Sequence, residues 1–272
     1  MGVLNVTPDS FSDGGLYDTY DRAVARGLEM MAEGADIVDV GGESSRPGAA
    51  PVPPEVELGR VVPVVEALAR VAAEQSGAGP VANPVRISVD TVKREVAEAA
   101  VAVGASLVND ISASLWEVAA ATGAGWVAMH MQGEPGTMQA APHYDDVVAE
   151  VHGFVLERAR RALASGVGEV WVDPGIGFGK TAAHNLTLLH HIGELADAAG
   201  QAGCAGVVVG TSRKRFLGLL AARGAPEPAP VAERSEGSLA TAAAAIVAGA
   251  RMVRVHDVMA TVQMARLYGP AA

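Results

Sequence analysis

Eight short apolar runs recur along the chain, each followed by a longer stretch of helical character, and this alternation leaves few folds open. The runs are Val3–Thr7, Ile37–Gly41, Val85–Asp90, Ser106–Ile111, Trp126–His130, Val170–Pro174, Gly206–Thr211 and Met252–Asp257. Most are continuously apolar, as parallel strands covered on both faces are, instead of alternating. Between them, Ala23, Val24, Gly27, Leu28 and Met31 keep the spacing of a helix with one buried face. Ser114-Leu115-Trp116-Glu117 reads as a capping box opening a short fourth helix. Gly34, Gly104 and Gly249 stand where a helix ends and the next strand begins. Strand and helix repeated eight times define an α/β chain folded as a (β/α)8 TIM barrel in preference to a doubly wound sheet. The length of 272 residues suits a barrel that typically takes about 250. No linker splits it, so residues 1–272 read as a single domain, with the proline-bearing stretch Arg223–Glu233 as a surface loop.

Composition narrows the function class. Half the residues are apolar but only 4% are aromatic, so the core is built from Ala, Val, Leu and Ile, and a disordered chain is excluded. A net charge of −11 argues against a general nucleic-acid binder while leaving room for a local basic pocket. With Cys204 as its one cysteine, the chain has no intramolecular disulfide and no cysteine zinc site. The start MGVLNVTPD lacks a signal peptide's basic and apolar regions, and Val6 stands where myristoylation wants Ser or Thr. The Ala-rich stretch from Leu239 meets Arg251 before it could span a bilayer. The expectation is a soluble cytoplasmic protein with no membrane or nucleic-acid partner.

In such a barrel the chemistry sits at the C-terminal ends of the strands, and there the unusual residues collect. The first run holds Asn5 and leads into Thr7-Pro8-Asp9-Ser10-Phe11-Ser12-Asp13; the second ends in Gly41-Gly42-Glu43-Ser44-Ser45-Arg46-Pro47. Asp90 closes the third, Asn109-Asp110 the fourth and Met129-His130 the fifth; Asp173 opens the glycine-rich stretch through Phe178 to Lys180 after the sixth. The seventh leads to Lys214 and the eighth carries Arg254 and His256. Taken singly, several have plain explanations. Asp90 with Thr91 could cap the third helix, Asp110 could satisfy rim backbone, and Lys180 could be a solvated helix start. His130 reads as a satisfied strand-end histidine, His190-His191 as structural, and Arg22, Arg26, Glu29 and Glu33 as an exposed helix face. Convergence is harder to explain that way. Asp90, Asn109 and Asp173 face one pocket from three strands, and two acids with an amide suit a ring carrying several N–H donors and a carbonyl, such as a pterin or guanine. Lys214, Arg254 and His256 supply cations after the seventh run and on the eighth, where barrels commonly hold phosphate, and Arg46 adds one after the second. Asn5, beside the eighth strand once the barrel closes, is a reasonable Mg²⁺ ligand.

Six stretches carry a resemblance: MGVLNVTPDSFSDGG, VDVGGESSRPGA, MHMQGEPGTMQ, DPGIGFGKT, SRKRF and RVHDV. In this order on an eightfold pattern, they are similar to the dihydropteroate synthases, folate-pathway enzymes targeted by sulfonamides, over almost the whole chain. The resemblance implies condensation of (7,8-dihydropterin-6-yl)methyl diphosphate with 4-aminobenzoate, with Mg²⁺ as cofactor and a homodimer as the assembly. It implies a pterin set of Asp90, Asn109, Met129, Asp173 and Lys214, and a diphosphate set of Asn5, Arg254 and His256, with Asn5 touching the metal. It also implies an aminobenzoate set of Phe11, Asp13, Ser45, Arg46, Pro47, Phe178 and Arg215, and catalytic roles for Asp90, Lys214, Asp13 and Arg46.

Some residues depart from the family pattern. Ser45 replaces a common Thr and keeps the hydroxyl. Arg215 replaces a common Ser near the aminobenzoate carboxylate, which a guanidinium or a helix-start N–H could also bind. The stretch ISASLWEVAA is short, and the hairpin that plugs the barrel bottom in the family is missing before the first run or was not included. Rival readings fare worse. A corrinoid methyltransferase leaves Arg254-Val255-His256 and the paired loops unexplained, and a silent pterin binder leaves the diphosphate residues without a task. A Schiff-base aldolase on Lys214 needs a neutral lysine, which Arg213 and Arg215 flank with charge.

Overall fold

The computed structural model describes residues 1–7, 16–44, 51–77, 84–222, 225 and 227–268, without the side chains of 16–18, 76 and 77. Eight strands lie parallel in sequence order: β1 Gly2–Asn5, β2 Ile37–Gly41, β3 Arg86–Asp90, β4 Leu107–Asp110, β5 Gly125–Met129, β6 Val170–Asp173, β7 Gly206–Val209 and β8 Met252–Val253. The helices between and after them are α1 Leu16–Ala32, α2 Pro54–Gly77, α3 Arg94–Ala102, α4 Trp116–Thr122, α5 Val147–Ala164, α6 Ala182–His190, α7 Ile192–Gln201, α8 Arg215–Ala221, α9 Ser235–Val247 and α10 Val258–Tyr268. The sheet closes on itself because Val3 N donates to Val255 O (2.9 Å) and Val255 N to Met1 O (2.9 Å). The fold is therefore the (β/α)8 barrel that the alternation implies.

The two-residue period of each strand separates two environments. Val38, Val40, Ile87, Val89, Val108, Trp126, Val170, Val172, Val207 and Val209 face outward into the core shared with the helices. Met1, Ile37, Leu107, Val127, Val208 and Met252 face inward and fill the lower interior. Beside Trp171, which packs on that layer, Arg86 grips Glu169 through two 2.8 Å bonds and Trp171 Nε1 donates to Glu169 (2.7 Å). This fork pulls the Glu169 carboxyl below its ordinary pKa against the opposing effect of burial.

Local expectations fail in two places. The eighth run, read as Met252–Asp257, is regular strand only over Met252–Val253, because its ladder partner β7 stops at Val209. The capping box does not form: the Ser114 and Leu115 amides both donate to Asp110 Oδ2 (2.7 Å each), and Ser114 Oγ meets Ser112 Oγ (2.7 Å). A box does form at α6, where Thr181 and His184 exchange bonds of 3.1 and 3.3 Å. The stretch 223–233 is described in part and runs into a short 3₁₀ turn, Val231–Arg234. Among the described residues no helix is long and apolar enough to cross a membrane.

Candidate active site

At the upper ends of the strands the inward positions become polar. One cavity there is lined by Val3, Asp90, Asn109, Ile111, Met129, Asp173, Phe178, Gly210, Ser212, Lys214, Arg254 and His256. It gathers the whole predicted pterin set with Phe178, Arg254 and His256. Asn5 ends β1 half-buried but does not line the cavity, and Arg215 opens α8 on the exposed surface, away from it. Phe11, Asp13, Ser45, Arg46 and Pro47 lie outside the described residues. The root of the second of these segments is anchored: Lys93 bridges Glu43 and the fully buried Glu57, while Arg60 donates to Gly42 O (2.8 Å).

Arg254 dominates the electrostatics. Its Nε donates to Asp39 Oδ2 and its Nη2 to Asp90 Oδ2, both at 2.6 Å. Asn109 Nδ2 donates to the same Asp39 oxygen at 2.9 Å. Burial pushes the Asp90 carboxyl up to about 7; Arg254 opposes the shift, while Asp39, Glu57 and Asp110 reinforce it. Between two carboxylates, Arg254 is held above its ordinary pKa despite its own burial. Asp90 thus faces the pocket and does not cap α3, whose N-cap Lys93 has no side-chain cap bond. Asp39 escaped the sequence reading. The signal was present: a lone carboxylate in the apolar run IVDVG, on the same parity as Ile37, which points inward.

The glycine-rich stretch after β6 wraps the other side of the pocket. Its backbone needs glycine: at Gly175 (φ 66°) a Cβ would lie 1.8 Å from His130 O, and at Gly179 (φ 63°) 2.3 Å from Gln132 O. Four successive carbonyls are then each held by a side chain. Lys214 takes that of Ile176, Gln139 that of Gly177 (2.6 Å), Lys180 that of Phe178 (3.0 Å) and Tyr144 that of Gly179 (2.8 Å). Lys180 is therefore no solvated helix start. It is 2% exposed, with Nζ 2.9 Å from His130 Nδ1, because the left-handed glycines turn the chain back inward. Burial lowers Lys180 to about 7, partly offset by Asp173, and burial together with Lys180 lowers His130 to about 3. Lys214 is lowered to about 8 by burial, with Asp173 resisting, and its Nζ lies 4.7 Å from the Phe178 ring centre. Burial also raises Asp173, against Lys214 and a 2.7 Å bond from Gly175 N.

The remaining assignments are structural. Asp110 faces outward and ties Ser112, Ser114, Leu115 and Trp126, as its rim reading has it. His191 Nδ1 contacts Thr187 O (2.7 Å) within its helix. Arg26 pairs with Glu29 and Glu33 and also reaches His256 O at 3.4 Å. Ser212 orients His256, accepting from its backbone N at 3.1 Å and meeting Nδ1 at 3.0 Å. Among the described residues no three His, Cys, Asp or Glu side chains come together to hold a metal ion.

A barrel whose lower interior is filled and whose mouth presents acids, an amide and cations to one cavity defines a class, the pterin-binding (β/α)8 enzymes. The family described as "Pterin binding enzyme" matches residues 1–256. The dihydropteroate synthase of Escherichia coli K12 is 45% identical over 273 residues, covering 98% of this chain and 89% of that protein. The Xanthomonas albilineans dihydropteroate synthase solved with 4-aminobenzoic acid superposes with a TM-score of 0.84 at 44% identity, covering 98% and 90%. The same enzyme solved with 7,8-dihydropteroate gives a TM-score of 0.81 at 42% identity, covering 98% and 91%. The chain belongs to the dihydropteroate synthases, transferases of folate biosynthesis.

Proposed function

We propose that this chain joins (7,8-dihydropterin-6-yl)methyl diphosphate to 4-aminobenzoate by a displacement in which diphosphate departs early. The observation that carries this reading is the single cavity shared by Asp90, Asn109, Asp173 and Lys214 with Arg254 and His256 at its β8 side. The two carboxylates and the amide match the N–H-rich edge of a dihydropterin, and Met129 lies along the ring. As the methylene C–O bond breaks, its electron pair leaves with diphosphate, and Arg254 and His256 stabilise the charge gathering on those oxygens. The carbon left behind is a cation delocalised into the ring, which Asp90 and Asp173 favour. The neutral aniline nitrogen of 4-aminobenzoate then supplies the new C–N bond and loses its proton, without a strong general base.

Asn5 and the surroundings of β8 fit a Mg²⁺ ion in one sense only. The Asn5 amide oxygen at the end of β1 would hold the ion together with oxygens of the diphosphate, as suits a cation that prefers oxygen ligands. When bound, it lends Lewis-acid charge stabilisation to the leaving group. Phe11, Asp13, Ser45, Arg46 and Pro47 belong to the proposal as loops that close over the aminobenzoate beside Phe178 and exclude water from the cation. Arg215, exposed at the start of α8, fits this set only as a contact at the rim. The family resemblance extends the reading to a cytoplasmic homodimer.

The test is diphosphate release by purified protein with Mg²⁺ and the pterin diphosphate, with and without 4-aminobenzoate. Release coupled to dihydropteroate formation is the expected result. Pterin binding without product under both conditions overturns the proposal and favours a silent binder.

A further inference from the structure

We infer that Asp39 is a positioning residue that sets Arg254 and Asn109 at once, an inference that rests on the site reading above. Asp39 is fully buried on β2 and does not line the cavity, so it meets no ligand there. Its Oδ2 accepts from Arg254 Nε at 2.6 Å and from Asn109 Nδ2 at 2.9 Å, joining a residue of the diphosphate set to one of the pterin set. Its Oδ1 has no hydrogen-bond partner among the described residues. A buried carboxylate with one oxygen unpaired is costly where an apolar side chain would pack, and the neighbouring inward positions, Ile37 below and Gly41 above, show that β2 accepts uncharged residues.

The two contacts of Arg254 differ in kind. Asp90 lines the cavity, so a pterin that takes its oxygens competes with Arg254 Nη2 for them. Asp39 lies beyond the ligand's reach and keeps its hold on Nε. The guanidinium then has a fixed pivot at Asp39 and a released arm at Nη2, which turns from Asp90 toward the diphosphate oxygens. Pterin entry and the deployment of Arg254 are coupled through this one oxygen, and the same oxygen fixes which face of the Asn109 amide the ring meets, its carbonyl.

Asp39→Asn is nearly isosteric and removes the charge. The probes are inorganic diphosphate with Mg²⁺ and 6-hydroxymethylpterin, each titrated calorimetrically into the intact protein. Asp39→Asn is expected to weaken both by roughly tenfold, the scale of a lost charge-assisted hydrogen bond. The diphosphate effect should vanish in an Arg254→Gln background, and the pterin effect in an Asn109→Ala background. Wild-type affinities in Asp39→Asn, loss of one probe alone, or additive double variants overturn the inference. The background variants test the site reading separately: if Arg254→Gln leaves diphosphate binding and Asn109→Ala leaves pterin binding intact, that reading fails whatever Asp39 does. Should Asp39→Asn not fold, the Arg254 Nε–H proton of the wild-type protein serves, assigned by its loss in Arg254→Gln. Slow exchange with solvent, both free and with 6-hydroxymethylpterin bound, supports the pivot, and free exchange in either state overturns it.

Discussion

The barrel holds charged groups at both ends, and the two ends treat them oppositely. At the bottom, Arg86 and Glu169 form a two-bond fork reinforced by Trp171, and the carboxyl is driven toward its charged form. At the top, Asp90 and Asp173 are driven toward their neutral forms and Lys180 and Lys214 toward theirs, because burial outweighs the attractions between them. Paired charges at the bottom serve stability. Underpaired charges at the top are held in readiness for a ligand that brings its own donors and anions, as sites with strongly shifted groups often are.

Three measurements would sharpen or break this contrast. The largest effect belongs to Asp90→Asn, which should lower turnover by about a hundredfold, the scale of removing one preorganised electrostatic group. Its effect on pterin affinity should be distinctly smaller, since the charge matters most to the cationic transition state. Equal losses in kcat and affinity would reduce Asp90 to a binding group.

A second effect is on stability against pH. Folding raises the Asp90 pKa from 3.8 to about 7, so the folded protein keeps a proton that the unfolded chain has released. That contribution is full below about pH 4 and is lost as pH rises to about 7. The stability of wild type minus that of Asp90→Asn, followed by urea unfolding, should therefore fall across this window, by on the order of 2 kcal/mol. A flat or rising difference would show that Arg254 wins over burial. The smallest change is expected at the bottom: Glu169→Gln should reduce stability by about 1 kcal/mol, since both partners are partly exposed, and leave kcat unchanged. A fall in kcat without loss of stability would dissolve the distinction between the ends.

The sequence made the barrel legible because eight mostly apolar runs alternate with longer stretches of helical character. The same reading identified Asp90, Asn109 and Asp173 as neighbours from their places at the ends of the third, fourth and sixth runs. It failed where a side chain's course depends on backbone turned elsewhere. Lys180 looked solvated because nothing in GIGFGK says that left-handed glycines fold the lysine under the loop. Ser114 looked like a cap because Asp110, four residues earlier, was a competitor for its amide that spacing does not reveal. Asp39 was overlooked because it sits one layer below the ligand, where a residue's task is visible only through its partners.

The seam between β1 and β8 has a thermodynamic consequence. Regular pairing there shrinks to one bridge, Gly2 with Val255, between segments about as far apart in sequence as the chain permits. The groups proposed to hold diphosphate straddle that join, Asn5 on one side and Arg254 with His256 on the other. An anion gripped by both edges would act as a removable clasp. Its binding energy would appear as resistance to barrel opening, growing with the logarithm of its concentration. The weakest stitch in the wall would then be strongest while the enzyme is occupied.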